Sequence, residues 1–336
     1  MMTAGPRNLI TDVDGLTVGN AGDAGLSSGV TAIVCDPPAT AAVQVLGGAP
    51  GTRETDLLEP HNTVETVNGL ILSGGSAFGL DAASGAQAFL RQQGKGFEVG
   101  PHRIPIVPAA ILFDLINGGD KDWGVYPPYR ELGYQATQAA SQAFAIGSAG
   151  AGMGALTATF KGGLGSASAR LANGFTIGAL VAANPMGSAT IGNTRHFWAA
   201  PFEIGAEFGG LGMPSPFPGD AADLKIKFRD RARGVSNTTI AVIATDASLT
   251  KAEAKRLAIA AHAGFARAIW PSHTPFDGDL VFGLATGASA RKPSPDDFIE
   301  LCAAAASAMS RAIARGICHA TPDPRDLMPA WATTSG

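Results

Sequence analysis

The hydrophobic pattern of the chain consists of short apolar runs separated by glycine-rich joints and longer amphipathic segments. Six runs of five to nine residues lack a polar face, and they cover residues 30–35, 41–46, 68–72, 175–183, 238–245 and 279–286. Apolar runs of this length are typical of strands that are covered on both faces. The pattern therefore predicts sheet structure buried between helices.

Four longer segments have the period of amphipathic helices. One opens with Thr250 as N-cap and Glu253 three residues later, which is a capping box. Another opens with Ser294 as N-cap and Pro295 in the first helical position. The remaining two cover residues 76–94 and 129–144. Small residues dominate the apolar faces of these helices, so we expect them to lie close to a sheet.

The segment 200–236 is the one plausible linker, because it holds four prolines and then the charged sequence DLKIKFRDRARG. The part of the chain after it has the order strand, helix, strand, helix. Composition and element order alone predict an α+β or α/β fold in which helices cover the sheet.

Composition excludes several classes of protein. Of 336 residues, 46% are hydrophobic and only 15% are charged, with a net charge of -4 and no basic stripe, so we expect no nucleic-acid partner. The uncharged stretch between Glu131 and Lys161 is rich in Gly, Ala, Ser and Gln, and lacks the apolar span that a membrane helix requires. The six histidines show neither HxxxH nor HxH spacing, and we expect no metal and no cofactor. Three widely spaced cysteines and an N-terminus without an apolar core favour a cytoplasmic protein.

The sequence Asn237-Thr238-Thr239 stands directly before an apolar run, and this admits two interpretations. The first is an ordinary strand start. The second is that the Thr238 hydroxyl attacks the carbonyl of Asn237, so that the chain is cut and Thr238 becomes a new N-terminus. Its α-amine, with a reference pKa of roughly 7.7–8.0, would then act as general base for the adjacent hydroxyl. Taken alone, the pattern favours the strand start.

Two further polar positions lie at the ends of apolar runs. Asp277 and Asp279 are two residues apart before a strand, so that their side chains can share a face and hold an ammonium group. An Asp-Gly turn explains the same residues. Asn184, followed by Pro185, ends another run and is either a turn residue or an amide that donates to an oxyanion.

The sequence SGGSAFGLDAASG links a strand to a helix. It lacks the Lys-Ser/Thr pair of a P-loop and the spacing of a GxGxxG motif. The backbone N–H groups of Gly74, Gly75 and Ser76 could still hold a carboxylate or an oxyanion of a substrate. A tight strand-to-helix turn is at least as good an explanation.

Five of these stretches occur in an order that resembles one family. They are LSGGSAFGLDAASG, PAAILFDL, KGGLGSAS, NTTIAVIATD and HTPFDGDLVFGLATG, and the resemblance extends over nearly the whole chain. The chain is identified as a member of the self-processing L-aminopeptidase/D-Ala-esterase/amidase (DmpA-like) family. That family includes β-peptidyl aminopeptidases and the 6-aminohexanoate-oligomer (nylon-oligomer) hydrolase.

The resemblance implies an α/β/β/α four-layer sandwich like that of N-terminal nucleophile hydrolases. It implies one domain, cut between Asn237 and Thr238 into pieces 1–237 and 238–336, and a small amide or peptide as substrate. Thr238 would be the nucleophile. Asn184 and Tyr126 would position the oxyanion or the substrate, and the Asp277–Asp279 pair would lie near the substrate amine. A homo-oligomer, a tetramer of processed units, is expected.

Two departures from the family pattern concern the substrate and a lysine. Aminopeptidase members often carry Ser at the nucleophile and Ser-Gly-Glu where this chain has Asp-Gly-Asp, so this chain looks more like the nylon-oligomer enzyme. That enzyme has a lysine in its catalytic site shortly after a GAGM segment. The matching position here is Thr159, and Lys161 is the candidate replacement.

Two alternatives to an amidohydrolase remain open on the sequence. An acyltransferase of the ornithine acetyltransferase type also uses an N-terminal threonine after self-cleavage, and its acyl-enzyme is resolved by an amine instead of water. An uncut, non-enzymatic scaffold is the other alternative.

Overall fold

The computed structural model describes residues 2–229 and 237–334. Within these parts the chain forms eleven strands and four α-helices, besides short 3-10 turns. The strands are β1 Leu16–Asp23, β2 Ser28–Val45, β3 Thr52–Arg53, β4 Thr66–Ser73, β5 Phe97–Val99, β6 His102–Ile104, β7 Ala109–Ile111, β8 Gly163–Arg170, β9 Thr176–Asn184, β10 Thr238–Thr245 and β11 Leu280–Ala285. The helices are α1 Ala82–Gln92, α2 Tyr129–Gln138, α3 Lys251–Ala266 and α4 Pro295–Cys318.

Nine strands form one continuous hydrogen-bonded sheet that bends at the long strand β2, and we call the two halves of this sheet the first sheet and the second sheet. The first half of β2 pairs antiparallel with β1 and with β4, and β4 continues through β7 to β3. The second half of β2 pairs antiparallel with β11, followed by β10, β9 and β8. The register of β2 shifts between Val34 and Ala39, around the exposed sequence Asp36-Pro37-Pro38. The apolar runs 30–35 and 41–46, which we expected to be separate strands, are therefore two halves of one bent strand.

Three apolar layers separate four layers of secondary structure, since alternate residues of each strand face opposite sides. Helices α1 and α2 cover the first sheet, the two sheets face each other, and helices α3 and α4 cover the second sheet. Representative buried residues are Val30, Ala32, Ile71 and Leu132 in the first apolar layer, Ile33, Leu72, Val242 and Phe282 in the middle layer, and Val181, Ile243, Leu257 and Ile313 in the third. The α/β/β/α sandwich is confirmed.

Helices α3 and α4 begin at the N-cap residues that the sequence predicts. Thr250 accepts the N–H of Glu253, and Ser294 accepts the N–H of Asp297, in capping boxes at both N-termini. The segment 76–94 begins instead with a 3-10 turn, Ser76–Asp81, before α1. None of the helices in 2–229 and 237–334 is long and apolar enough to cross a membrane.

Glycines bring helix α4 into direct contact with strand β8. A Cβ on Gly165 would overlap the Ala312 carbonyl oxygen and lie 2.8 Å from the Gly316 nitrogen. Gly316 in turn lies against Gly163 and Gly165. The small residues that dominate this helix face therefore allow its backbone to rest on the sheet.

We expect Gly165→Ala to lower the free energy of unfolding by about 1–3 kcal/mol, because α4 must move away from β8. Gly219→Ala is the matched control, since a Cβ there meets nothing within 4 Å. Urea unfolding of both variants measures the difference. Equal stability of the two variants would contradict close packing of α4 on β8.

Candidate active site

Thr238 and Asn184 lie directly opposite each other, at the start of β10 and the end of β9. Opposed residues of an antiparallel pair have their side chains on the same face, with Cβ atoms about 4.5–5.5 Å apart. Thr238 shares its face with Ile240 and Val242, which line the layer between the two sheets. Thr238 is only 1% exposed. The candidate site therefore lies at one end of the space between the sheets.

The peptide bond before Thr238 is held by the loop that leads into β11. The Thr238 hydroxyl donates to the Asn237 carbonyl oxygen at 2.5 Å, and the Gly278 N–H donates to the same oxygen at 2.9 Å. The Asn237 N–H donates to the Phe276 carbonyl at 3.0 Å. A Cβ on Gly278 would lie 2.8 Å from the Thr238 hydroxyl, so glycine is required for this approach. These two donors polarise the Asn237 carbonyl, which is the group that the Thr238 hydroxyl would attack.

Asp277 is fully buried beside this peptide bond. One carboxylate oxygen accepts the Met186 N–H at 3.1 Å, and the other accepts the Thr274 N–H at 3.0 Å and hydroxyl at 2.7 Å. Burial, followed by the nearby Asp279, raises the pKa of Asp277 to about 6. The carboxyl therefore holds a proton under mildly acidic conditions in which an exposed aspartate would be ionised.

Asp279 links the loop to β10. Its Oδ1 accepts the Thr239 N–H at 2.8 Å. Its Oδ2 lies 2.9 Å from Nδ1 of His273 and accepts the His273 backbone N–H at 3.1 Å. The carboxylate thereby fixes the peptide group on the C-terminal side of Thr238.

Both polar atoms of the Asn184 side-chain amide, Oδ1 and Nδ2, have hydrogen-bond partners within the protein. Its Oδ1 accepts from Asn117 Nδ2 at 3.0 Å, from the Leu156 N–H at 3.0 Å and from Lys227 Nζ at 2.7 Å. Its Nδ2 donates to the Phe113 carbonyl at 2.9 Å. The amide is rigidly placed opposite Thr238, and in the uncut chain it donates to the protein itself.

Lys227 is the functional candidate that the sequence did not indicate. Its side chain is buried, and besides Asn184 it donates to the Leu156 carbonyl at 2.8 Å. Burial lowers its pKa to about 7, although Asp277 and Asp114 oppose that shift. In the sequence it stands in the charged stretch DLKIKFRDRARG, which is typical of a solvated linker. Lys225 lies between apolar residues in the same way, so no local signal distinguishes Lys227.

The predicted substrate-binding loop at Gly74, Gly75 and Ser76 is occupied by the protein's own groups. The Gly74 N–H donates to the Gly29 carbonyl, and the Ser76 N–H donates to the Leu112 carbonyl. The Gly75 N–H donates to the Asp114 carboxylate at 2.8 Å. The loop does bind a carboxylate, but it is the buried one of Asp114. In this structure the three amides donate to the protein itself, and their role in substrate binding stays a prediction.

Tyr126 and Lys161 do not join the other candidates. Tyr126 is 84% exposed, in a segment that runs over the surface before α2. Lys161 donates to Asp326 at 2.6 Å and thus holds the C-terminal segment. A cavity of about 130 Å³ separates this ion pair from Asn117 and Leu156, which contact Asn184. The lysine that contacts Asn184 is Lys227, and the roles expected for Tyr126 and Lys161 stay predictions.

Thr159 lies among other hydroxyl groups. Thr159 Oγ1 lies 3.0 Å from Ser188 Oγ and 3.3 Å from Thr190 Oγ1. Among the residues that the structure describes, no group of three or more His, Cys, Asp or Glu side chains could hold a metal ion.

Comparison with known proteins identifies the family to which this chain belongs. The family model described as "Peptidase family S58" matches residues 8–324. The chain belongs to peptidase family S58. An uncharacterized aminopeptidase of Mycobacterium tuberculosis is 41% identical over 333 residues, which cover 94% of this chain and 95% of that protein. The chain is therefore a hydrolase that acts on peptide or amide bonds, and the family resemblance drawn from its motifs is confirmed.

More distant relatives of this S58 peptidase include enzymes with other substrates. A 6-aminohexanoate-oligomer endohydrolase of Kocuria sp. is 28% identical over 294 residues, covering 84% of this chain and 76% of that enzyme. Two solved structures share the fold. A β-aminopeptidase of Burkholderia sp. has a TM-score of 0.70 at 23% identity, covering 99% of this chain and 93% of that one. The L-aminopeptidase D-Ala-esterase/amidase of Ochrobactrum anthropi, a variant of the Ntn-hydrolase fold, has a TM-score of 0.69 at 22% identity, covering 98% and 92%.

The raised pKa of Asp277 predicts how stability depends on pH. Between about pH 4 and pH 6 the native carboxyl keeps a proton that the unfolded chain has lost, so the free energy of unfolding falls as pH rises through this window. The contribution is at most about 3 kcal/mol. Urea unfolding of a Thr238→Ala protein, in which residue 238 has no hydroxyl, should show this fall. Adding Asp277→Asn should make the fall smaller, and buried Asp114, whose pKa is also raised, accounts for what remains.

The exposed Asp122 provides the control for this measurement. Asp122→Asn should leave the pH dependence of the Thr238→Ala protein unchanged. A profile that Asp277→Asn does not alter would show that Asp277 ionises as freely in the native state as in the unfolded chain.

Proposed function

We propose that this S58 hydrolase cuts its own chain between Asn237 and Thr238, and that Thr238 is then the nucleophile for amide hydrolysis. One observation carries the proposal: the Thr238 hydroxyl contacts the Asn237 carbonyl at 2.5 Å, while Gly278 donates to the same oxygen. A side chain that contacts the carbonyl of its own peptide bond has its reaction partner already in place.

The proposed self-cleavage has two steps. The Thr238 oxygen bonds to the Asn237 carbonyl carbon, the C–N bond breaks, and the hydroxyl proton goes to the departing nitrogen. This leaves an ester between Asn237 and the Thr238 side chain. Water then attacks the ester, giving an Asn237 carboxylate and a Thr238 that carries both its hydroxyl and a free amine. The Gly278 N–H stabilises the negative charge that develops on the carbonyl oxygen in each step.

Hydrolysis of a substrate repeats both steps: Thr238 attacks the substrate carbonyl and the substrate amine leaves, and water then hydrolyses the ester. The acyl-enzyme is an ester on the same Thr238 oxygen as the self-cleavage intermediate, so the same groups can act on both. The new α-amine takes the hydroxyl proton as general base and returns it to the leaving amine. Asp279, which accepts the Thr239 N–H, and Asp277, which pairs with Asn237 in an isolated bridge, hold the charged form of that amine.

Asn184 and Lys227 form the opposite wall of the proposed site. The lysine ammonium lies 2.7 Å from Asn184 Oδ1 in a buried environment, where a positive charge acts strongly on nearby groups. It therefore favours negative charge on the acyl carbonyl at Thr238, across the strand pair. Lys227 also ties the segment just before the cut to Asn184. We propose that it acts in both cleavage and hydrolysis.

The proposed substrates are small peptides, amino-acid amides or esters, and ω-amino-acid oligomers. The aminopeptidase relatives support the first of these, and the 6-aminohexanoate-oligomer endohydrolase supports the last. Asp277 and Asp279 fit a substrate with a free amine, since two carboxylates can hold an ammonium group. The proposed mature protein is a homo-oligomer, a tetramer by the family resemblance, of two-chain units.

Substitutions at residues 237–239 test the nucleophile. Thr238→Ala should abolish both the cut and amide hydrolysis, and Thr238→Ser should retain part of each because it keeps an oxygen nucleophile. Thr239→Ala should still be cut, since Thr239 faces helix α3 and not the layer between the sheets. Asn237→Ala should be cut at a reduced rate, because the group attacked belongs to the backbone. Denaturing gels and Edman sequencing, which should read Thr-Thr-Ile-Ala-Val, measure the outcome.

A Thr238→Ala protein that still splits at this bond, or still hydrolyses an amide, would contradict the proposal. An uncut parent chain without hydrolase activity would do the same. Acyl transfer is distinguished by supplying an amine together with an ester substrate, because transfer yields the acylated amine.

Lys227→Met tests the buried lysine against a close neighbour in the same segment. The fold should be retained, because Asn184 keeps its bonds from Asn117 and Leu156, but self-cleavage should slow by at least about 10-fold through the loss of the buried charge. Lys225→Met is the control, since Lys225 bonds Asn193 and Asp220 near the surface. Equal rates of cleavage in the two variants would remove Lys227 from the mechanism.

A further inference from the structure

His273 lies behind the acidic pair, on the side away from Thr238. Its ring Nδ1 is 2.9 Å from Asp279 Oδ2, and its backbone N–H donates to the same oxygen at 3.1 Å. The other oxygen of Asp279 accepts the Thr239 N–H at 2.8 Å. A single carboxylate therefore connects the histidine ring to the residue next to the proposed nucleophile.

The hydrogen bond to Asp279 fixes the protonation of one ring nitrogen. A carboxylate can only accept, so Nδ1 of His273 carries the hydrogen. The Nε2 atom of His273 is buried and has no hydrogen-bond partner among the described residues. The ring therefore has one hydrogen-bond partner among the described residues, the Asp279 carboxylate.

Two rings pack against the His273 ring. His262 on helix α3 lies with ring centroids 4.9 Å apart, and Phe265 packs at 5.2 Å. His262 Nε2 lies 3.0 Å from the Gln44 carbonyl and must donate to it. Burial lowers the pKa of His262 to about 4. The carboxylate that contacts the His273 ring is that of Asp279.

The backbone conformation of His273 also contributes to this arrangement. Its φ is 55°, in the left-handed region, which few residues with a Cβ adopt and in which Asn, Asp and His are enriched. This conformation places the ring and the backbone N–H on the same carboxylate oxygen. A residue that only filled space between His262 and Phe265 would not require the second hydrogen bond.

We propose that His273 is a positioning residue for the Thr238 chemistry, acting through Asp279. By donating to Oδ2 it keeps Asp279 oriented so that Oδ1 holds the Thr239 N–H. The peptide group between Thr238 and Thr239 then has a fixed plane, which fixes the Thr238 Cα and the direction of its hydroxyl. This inference rests on the proposed function and adds a residue to it. His273 itself does not touch the substrate.

Two substitutions separate the hydrogen bond from the backbone conformation. Glycine and asparagine both tolerate the left-handed region, so neither His273→Gly nor His273→Asn should strain the loop. Only asparagine supplies a side-chain N–H near the position of Nδ1. Ala290→Gly is the control for added backbone freedom, because Ala290 has a φ of 53° on an exposed loop.

The experiment measures self-cleavage rate, thermal stability, and kcat and KM with L-alanine p-nitroanilide. We expect His273→Gly to lower kcat and the cleavage rate at least 10-fold, with KM within 2-fold of the parent value. His273→Asn should recover most of the lost kcat although it lacks the ring. Ala290→Gly should match the parent in both rates.

Three outcomes would overturn the inference. One is a His273→Gly protein with the parent's kcat. Another is equal loss of kcat in His273→Gly and His273→Asn, which would assign the effect to ring packing. The third is a parent protein that neither cuts itself nor hydrolyses amides, since that removes the proposed function itself. A parent that cuts and hydrolyses normally while His273→Gly is unaffected overturns only the role of His273.

Discussion

The arrangement of the site depends on one contact, between the loop 274–279 and the first residues of β10. The Gly278 N–H and the Thr238 hydroxyl meet on the Asn237 carbonyl oxygen, and this is possible only because residue 278 has no side chain. Strand β9 places Asn184 opposite Thr238, and β11 continues from the loop as the parallel neighbour of β10. The central strands of the second sheet thus bring a hydroxyl, a polarised carbonyl, two carboxylates and an amide to one end of the interlayer space.

This end of the sheet carries buried ionisable groups that a purely structural core would avoid. Asp277, Asp279 and Lys227 are almost fully buried. Asp114, which accepts the Gly75 N–H, is also buried. Burial raises the pKa of Asp277 and of Asp114 and lowers the pKa of Lys227, so each charge is destabilised in the uncut chain. Opposite pKa shifts of neighbouring acids and bases are typical of catalytic sites. Release of the segment before the cut would change the surroundings of Asp277 and Lys227 together.

Much of the fold could be predicted from the sequence because local signals agree with it. The apolar runs lie in strands, and the capping boxes at Thr250 and Ser294 begin α3 and α4. The single bent strand β2 could not be predicted, since Asp36-Pro37-Pro38 is as typical of a turn between two strands as of an irregularity within one. That strand joins the two sheets, so the four-layer arrangement came from the family resemblance and not from the pattern.

The sequence indicated the candidate residues that lie at strand ends. It did not indicate those whose position depends on tertiary packing. Asn184, Thr238, Asp277 and Asp279 are all at ends of apolar runs, and the structure brings them together. Tyr126 and Lys161 do not contact these residues, and their roles stay predictions. Lys227 was overlooked because nothing local distinguishes a lysine that enters the core from one in a charged surface segment. His273 had no signal at all, since its partner Asp279 is explained equally well by an Asp-Gly turn.

The intact mass of the purified protein tests the central claim most directly. If the Thr238 hydroxyl attacks the Asn237 carbonyl and water resolves the ester, the denatured protein should give two masses, those of residues 1–237 and 238–336. Their sum should exceed the mass of the uncut chain by one water. A single uncut mass in a preparation that hydrolyses amides would contradict the account, because the reaction would then proceed without an N-terminal Thr238.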